Sequence, residues 1–122
     1  MSTLVVSNIS DGTTTVGASY VTNGSAKAWS YVDQNGTQTL KDSLNVSSIT
    51  DSGTGLTSIA FSSAMANANY GALGGNQSGT ASGVLDATLT TTSYTFRGCA
   101  RNDSFTVIDV YIAVSAVFGE LA

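Results

Sequence analysis

The stretch that decides the fold is Thr106–Phe118, with the sequence TVIDVYIAVSAVF. Its β-branched residues and its lack of a helix cap or charge pairing predict one long strand. One face would carry Ile108, Val110, Ile112, Val114, Ala116 and Phe118, and the opposite face Val107, Asp109, Tyr111, Ala113, Ser115 and Val117. A half-exposed strand is polar on its second face, whereas this one is largely apolar on both. It is therefore either central in a sandwich or covered by another subunit.

A subunit interface is accordingly predicted at Val107, Asp109, Tyr111, Ala113 and Val117. A symmetric neighbour would remove several hundred Å² of apolar surface, at roughly 25 cal/mol per Å². The resulting several kcal/mol are comparable with the whole stability of a small domain, so we expect obligate association.

Short strand-like runs separated by turn signals fill the rest of the chain. Asn23-Gly24 and Asn35-Gly36 are two-residue hairpin signals, because a type I′ turn needs positive φ at both positions. In Leu44–Ile49 the alternation slips by one residue at Ser47-Ser48, which predicts a bulge that returns Ile49 to the buried face. The stretch 74–83 is small and polar and predicts a mobile loop.

These runs predict an all-β protein, an antiparallel β-sandwich of about 8–10 short strands. We expect residues 1–16 to form an N-terminal extended arm with the first strand, and residues 17–122 to form a single sandwich domain.

Composition excludes several classes of function. Among 122 residues there are four basic and eight acidic residues, for a net charge of −4, which argues against nucleic-acid binding. The absence of histidine removes histidine-based acid–base chemistry and histidine-ligated metals. Met1-Ser2-Thr3-Leu4 has no signal-peptide pattern and no stretch suits a membrane span. We therefore expect synthesis in a cytoplasm, no membrane insertion and no cofactor.

No catalytic site is predicted. Most carboxylates stand beside Gly, Asn or Ser in predicted turns, where Asp accepts backbone N–H bonds. Asp109 interrupts an apolar strand and, if buried, would need Arg97, Arg101 or backbone donors as partners. The single cysteine, Cys99, is interpreted as an inert buried thiol.

Sugar binding is an alternative that the aromatic residues leave open. Trp29, Tyr31, Tyr70 and Tyr94 could stack on sugar rings, although packing in the core or an interface is the simpler interpretation of Trp29. The 74–83 stretch is a further candidate for outward recognition.

Residues 1–70 contain several strings that resemble a bacteriophage module. The strings are Ala26-Lys27-Ala28-Trp29, Asn35-Gly36-Thr37 and residues 42–55 (DSLNVSSITDSGTG), followed by Ala60-Phe61, Ala64-Met65 and Ala68-Asn69-Tyr70. The module occurs in phage tail-fibre and appendage proteins, notably in phages of aquatic bacteria. The chain departs from it at Val5, where the family commonly has Lys, and at Ala66, where it usually has proline.

The resemblance implies a non-enzymatic virion protein at the particle surface, assembled as a homotrimer. Other virion proteins and host-surface polysaccharide are its implied partners. The leading hypothesis is a trimeric tail-fibre or appendage component. The alternatives are a capsid decoration (cement) protein that stabilises the shell, and a stand-alone lectin-like carbohydrate-binding domain.

Overall fold

The computed structural model describes residues 1–76, 81–100 and 106–122, with the backbone alone described at 81–87, 99 and 100. Within these ranges the chain forms ten strands and one short helix: β1 (Asn8–Ser10), β2 (Thr15–Gly17), α1 (Ala18–Thr22), β3 (Ala26–Asp33), β4 (Thr39–Leu44), β5 (Val46–Gly53), β6 (Leu56–Phe61), β7 (Gly71–Asn76), β8 (Ala81–Leu89), β9 (Ser93–Ala100) and β10 (Ala113–Phe118). Every strand pairing among these elements is antiparallel. The all-β class is confirmed.

The strands form two four-stranded sheets and one hairpin. Sheet I has the order β4-β3-β10-β7, and sheet II has the order β5-β6-β9-β8. The strands β1 and β2 pair only with each other. Among the residues described, no helix has the length and apolarity needed to cross a membrane.

One hydrophobic core takes side chains from both large sheets. Sheet I contributes Ala28, Val32, Ala113 and Val117, and sheet II contributes Ile59, Phe61, Tyr94 and Phe96. Alternation along β3 and β6 produces this arrangement, because every second residue of a strand faces the same side. In Leu56–Phe61 the alternation of the sequence predicts that Ile59 and Phe61 face inward, and both are buried.

One local prediction about β5 is confirmed, and one about β4 is confirmed in part. Asn35-Gly36 lies in the connection between the antiparallel strands β3 and β4, as predicted, but this connection spans residues 34–38 and only Gly36 of the pair has a positive φ, at +69°. The hairpin is therefore present, but its turn is not the two-residue type I′ turn. The ladder between β5 and β6 shifts between Val46 and Ser48, and Ile49 packs against the core. The bulge thus keeps the apolar residues on either side of it facing inward.

The Asn23-Gly24 hairpin prediction is wrong. Asn23 instead ends α1, where its backbone N–H donates to the Ser19 carbonyl at 2.8 Å. Gly24 follows in close contact with the backbone of Tyr20, where a Cβ would collide with the carbonyl oxygen. The pair therefore closes a helical turn rather than joining two strands.

The predicted long strand 106–118 is also shorter than expected. Only Ala113–Phe118 is strand, and β10 lies between β3 and β7 in sheet I. Before it, the chain is held by single contacts: the Gln34 N–H donates to the Val110 carbonyl at 2.9 Å, and the Ile108 N–H donates to the Gly98 carbonyl at 3.0 Å. Gln34 directly follows β3 of sheet I, and Gly98 lies in β9 of sheet II. Residues 106–112 therefore cross from one sheet to the other instead of extending β10.

The loop predicted at 74–83 is replaced by strand at both of its ends. β7 continues to Asn76 and β8 begins at Ala81, and residues 77–80 lie outside the described part of the chain.

Candidate interaction surface

Two of the five predicted interface residues lie in the core of the protomer. Ala113 is 2% exposed and Val117 is not exposed at all. The reason is the orientation of β10, whose odd-numbered residues face sheet II. The prediction that these two side chains contact a second subunit is wrong.

The other three predicted interface residues lie on the crossing segment 106–112. Val107 is half-buried, while Asp109 and Tyr111 are exposed. The Asp109 carboxylate accepts the Gly55 N–H at 2.6 Å, so its partner is one of the backbone donors expected for it. Gly55 has φ +68°, and a Cβ there would lie 2.5 Å from the Ile108 carbonyl oxygen. The segment therefore depends on a glycine at this turn.

The outer face of sheet I is mainly apolar, although the exposed and charged Asp42 lies on it opposite Tyr31. Its register places Leu44, Trp29, Ala116 and Leu73 in one row across all four strands. Val114 of β10 lies beside this row, between Tyr31 and Gly75. Leu73 is 66% exposed and Val114 is 41% exposed. We define this outer face by Leu44, Trp29, Tyr31, Val114, Ala116, Leu73 and Gly75.

A hollow of about 250 Å³ opens on the outer face between β7 and β10, and it is lined by Leu73, Gly74, Gly75, Val114, Ser115 and Ala116. It exists because Gly75 has no side chain beside Val114: a Cβ on Gly75 would lie 3.6 Å from the Val114 Cγ2 atom. Walls of this composition suit an aliphatic side chain from outside the sheet.

A second apolar feature is the start of the chain. Residues 1–7, which we call the leading segment, precede β1 and are exposed throughout. Leu4 is 84% exposed and Val5 is 87% exposed. The segment ends beside the helix, where the Ala18 N–H donates to the Ser7 carbonyl at 2.9 Å.

The hairpin that follows the leading segment is shaped by Asp11. Its carboxylate accepts the backbone N–H groups of Thr13 at 2.9 Å and Thr14 at 2.7 Å. These bonds lower the pKa of Asp11, because they stabilise the charged form. Two further carboxylates accept backbone N–H groups close to them in sequence: Asp33 accepts the Asn35 N–H, and Asp51 accepts the Gly53 N–H. The predicted turn-forming role is confirmed at these three positions.

The four aromatic residues proposed for sugar stacking do not share a surface. Trp29 and Tyr31 are half-buried on the outer face, whereas Tyr70 and Tyr94 are buried. The Tyr94 hydroxyl shares a hydrogen bond with Ser115 at 2.7 Å, and Ser115 shares another with Ser30 at 2.7 Å. Burial raises the pKa of Tyr94. The prediction that Tyr70 and Tyr94 stack on a sugar is therefore wrong.

The described residues contain no group of three or more Cys, His, Asp or Glu side chains that would hold a metal ion. The Cys99 side chain and Arg101 lie outside the described part, so the interpretation of Cys99 stays a prediction.

A scan against protein-family models and searches of curated proteins and of solved structures found no match. The candidate surface therefore rests on this chain's own geometry. Trp29 and Tyr31 lie two residues apart in β3, so alternation in the sequence predicts that they share a face, and the same holds for Val114 and Ala116 in β10. Leu73 and Gly75 become part of the surface only through the pairing of β7 with β10, which local sequence does not encode.

Proposed function

We propose that this chain is a non-enzymatic structural protein of a bacteriophage particle, a β-sandwich protomer that assembles as a homotrimeric tail-fibre or appendage component. The motif strings in residues 26–55 support the virion assignment through their resemblance to phage fibre modules. The observation that carries the assembly part is the apolar outer face of sheet I, with Leu73 and Val114 exposed.

Exposed apolar surface of this kind favours association. Four strands about 4.8 Å apart and six residues long span a face of roughly 400 Å². Because Asp42 also lies on this face, not all of that area is apolar, so covering the face would contribute at most about 10 kcal/mol before the cost of association is subtracted. Since association costs an estimated 4–15 kcal/mol, further contacts are needed for a tight complex. The exposed leading segment supplies additional apolar side chains.

The oligomeric part of the proposal is tested by native mass spectrometry together with light scattering on the full chain. We expect a species with three times the 12.4 kDa mass of one chain, persisting on dilution to nanomolar concentration. A protein that stays monomeric at micromolar concentration would contradict this function.

A capsid decoration protein is the second candidate, because the exposed leading segment and hairpin suit attachment to a shell. Labelling intact phage particles with a gold-conjugated antibody against this chain separates the two. Gold on the tail supports the appendage, and gold distributed over the shell supports decoration. If particles carry no label while a known virion protein is detected in parallel, both virion roles fail.

Contact with host-surface polysaccharide is part of the appendage proposal. It is measured by the binding of fluorescently labelled protein to intact host cells, with emptied capsids as the comparison surface. Binding to cells supports the receptor-facing role, and binding to capsids alone supports decoration.

A further inference from the structure

We infer that Leu4 and Val6 in the leading segment of one copy dock into the hollow between β7 and β10 of a second copy. This inference rests on the proposed homotrimer and says which surfaces form it. It follows from two apolar features that remain exposed in the protomer, the leading segment and the outer face of sheet I.

The two features do not cover each other within one chain. Leu4 is 84% exposed while Leu73, at the edge of the hollow, is 66% exposed. A single protomer thus leaves both in water, although each is suited to contact the other.

The leading segment matches the outer face in length. Seven residues in extended conformation span roughly 24 Å, and the four strands of sheet I together are about 19 Å wide. Alternation in an extended segment places Leu4 and Val6 on one side and Thr3, Val5 and Ser7 on the other. The Leu4 side is apolar at both positions and is the side that suits the hollow.

Buried area favours a second copy's segment over a second copy's sheet. If two outer faces packed on each other, each protomer would bury about 400 Å², or about 800 Å² in total, less than the roughly 1,000 Å² expected of a specific interface. With an exchanged segment, each protomer buries its own face and also its own segment. The area buried per protomer is then about 800 Å², twice that of face-to-face packing, and it is divided over two contacts with two neighbours.

Symmetry favours the same arrangement. Two identical faces packed together form an isologous contact, which closes as a dimer. A segment that binds a different surface of its neighbour forms a heterologous contact, which can close as a three-membered ring. Only the second arrangement is compatible with the proposed homotrimer.

Substitutions in the leading segment test which of its two sides contacts the second copy. Leu4→Asp should weaken self-association about tenfold or more, because a leucine that docking would bury is replaced by a charge. Thr3→Asp introduces the same charge on the opposite side of the segment and should leave association within about twofold of wild type. Equal effects of the two variants would overturn the inference.

Substitutions on β7 test the hollow. Gly75→Val fills it, since the new Cβ meets Val114 at an ordinary contact distance of 3.6 Å. Gly71→Val is the matched control on the same strand, away from the hollow, with its Cβ 3.8 Å from the Phe118 carbonyl oxygen. Gly75→Val should weaken association about tenfold and Gly71→Val should not; equal association constants would contradict the docking site.

Photo-crosslinking identifies the contact directly. The full chain carries p-benzoylphenylalanine in place of Leu4, and chains labelled with ¹⁴N and ¹⁵N are mixed in denaturant and refolded together. Trypsin, which cleaves after Lys27, Lys41, Arg97 and Arg101, separates peptide 1–27 from peptides 42–97 and 102–122, which contain β7 and β10. Mixed-isotope crosslinks from peptide 1–27 to either of the other two support the inference.

The remaining outcomes overturn it in distinguishable ways. Crosslinks confined to chains of one isotope mean that the segment folds onto its own sheet. A trimer without these crosslinks refutes the docking site and leaves the proposed homotrimer standing. A monomeric wild-type protein refutes both.

Discussion

Replacing Gln34 by leucine should destabilise the protein strongly, although leucine is similar in size. The Gln34 side chain is fully buried. Its Nε2 atom donates to the Thr57 Oγ1 atom at 2.9 Å and to the Gly55 carbonyl at 3.1 Å, and its Oε1 atom accepts the Val110 N–H at 3.2 Å. One amide therefore joins the end of β3, the β5–β6 turn and the crossing segment 106–112.

The magnitude follows from what the leucine would leave unpaired. The Gly55 carbonyl still accepts the Gly98 N–H at 2.7 Å, and the Thr57 hydroxyl still donates to Gln38. The Val110 N–H loses its partner inside the core, which costs about 1–3 kcal/mol, and the two lost donor bonds add roughly 0.5–1.5 kcal/mol each. Additional apolar burial by leucine offsets part of this loss. We expect a net destabilisation of about 2–4 kcal/mol, a large part of the 5–15 kcal/mol typical of a folded domain.

Urea denaturation followed by the fluorescence of Trp29, the single tryptophan, measures this change. Wild type and variant are compared at equal protein concentration, because association contributes to the apparent stability. Thr37→Leu is the control, since Thr37 is exposed in the same connection and should change stability by no more than about 0.5 kcal/mol. A Gln34→Leu protein within about 0.5 kcal/mol of wild type would refute the role assigned to the buried amide.

Four further predictions concern other polar contacts. Ser115→Ala should cost more than Tyr94→Phe, about 1–3 against 0.5–1.5 kcal/mol in urea denaturation. It removes both 2.7 Å bonds of the cluster and leaves Ser30 and Tyr94 only their mutual 3.4 Å bond, whereas Tyr94→Phe leaves the 2.7 Å bond between Ser30 and Ser115; the reverse order would contradict this. The raised pKa of Tyr94 means that its contribution to stability is complete below pH 10.0 and is lost as pH rises through the folded-state value, so the urea midpoint of Tyr94→Phe should fall less steeply in alkali than that of wild type. Asp109→Ala should accelerate amide exchange at Gly55, whereas Asp109→Asn keeps an acceptor oxygen and should retain most of the protection; equal exchange in both variants would argue against the carboxylate contact. The lowered pKa of Asp11 means that the amide bonds in the β1–β2 turn are present above pH 3.8 and are lost as pH falls through the folded-state value, which a pH titration of the turn amides by NMR should show as a midpoint below 3.8.

The sequence predicts the fold best where local chemistry determines it. Alternation in β6 predicts the inward side chains Ile59 and Phe61, because every second residue of a strand faces the same side. In β3 it separates the same two sets, but both carry apolar residues, so alternation alone does not say which set is buried. The slip at Ser47-Ser48 predicts the bulge for the same reason, since Val46 and Ile49 can both face inward only if one residue is left unpaired.

Prediction fails where a distant contact decides between local alternatives. Asn and Gly are common both in hairpin turns and at helix ends, so Asn23-Gly24 alone does not distinguish the two. The preceding residues Ala18–Thr22 form a helical turn, and Asn23 caps its end with ordinary helical backbone angles. Likewise, nothing in the composition of 106–112 shows that the buried amide of Gln34 holds Val110 outside the strand.

Besides its length, the prediction for β10 is wrong about which residues face outward, whereas its argument that both faces of the strand need a cover is retained. A strand with apolar residues on both sides needs a cover on each side, and sheet II covers Ala113, Ser115 and Val117. Because side chains alternate, choosing the wrong face exchanges the whole set. The residues left for a partner are therefore Val114 and Ala116, on the outer face. The association we propose uses this side of the strand, whereas the prediction from the sequence used the side that carries Ala113 and Val117.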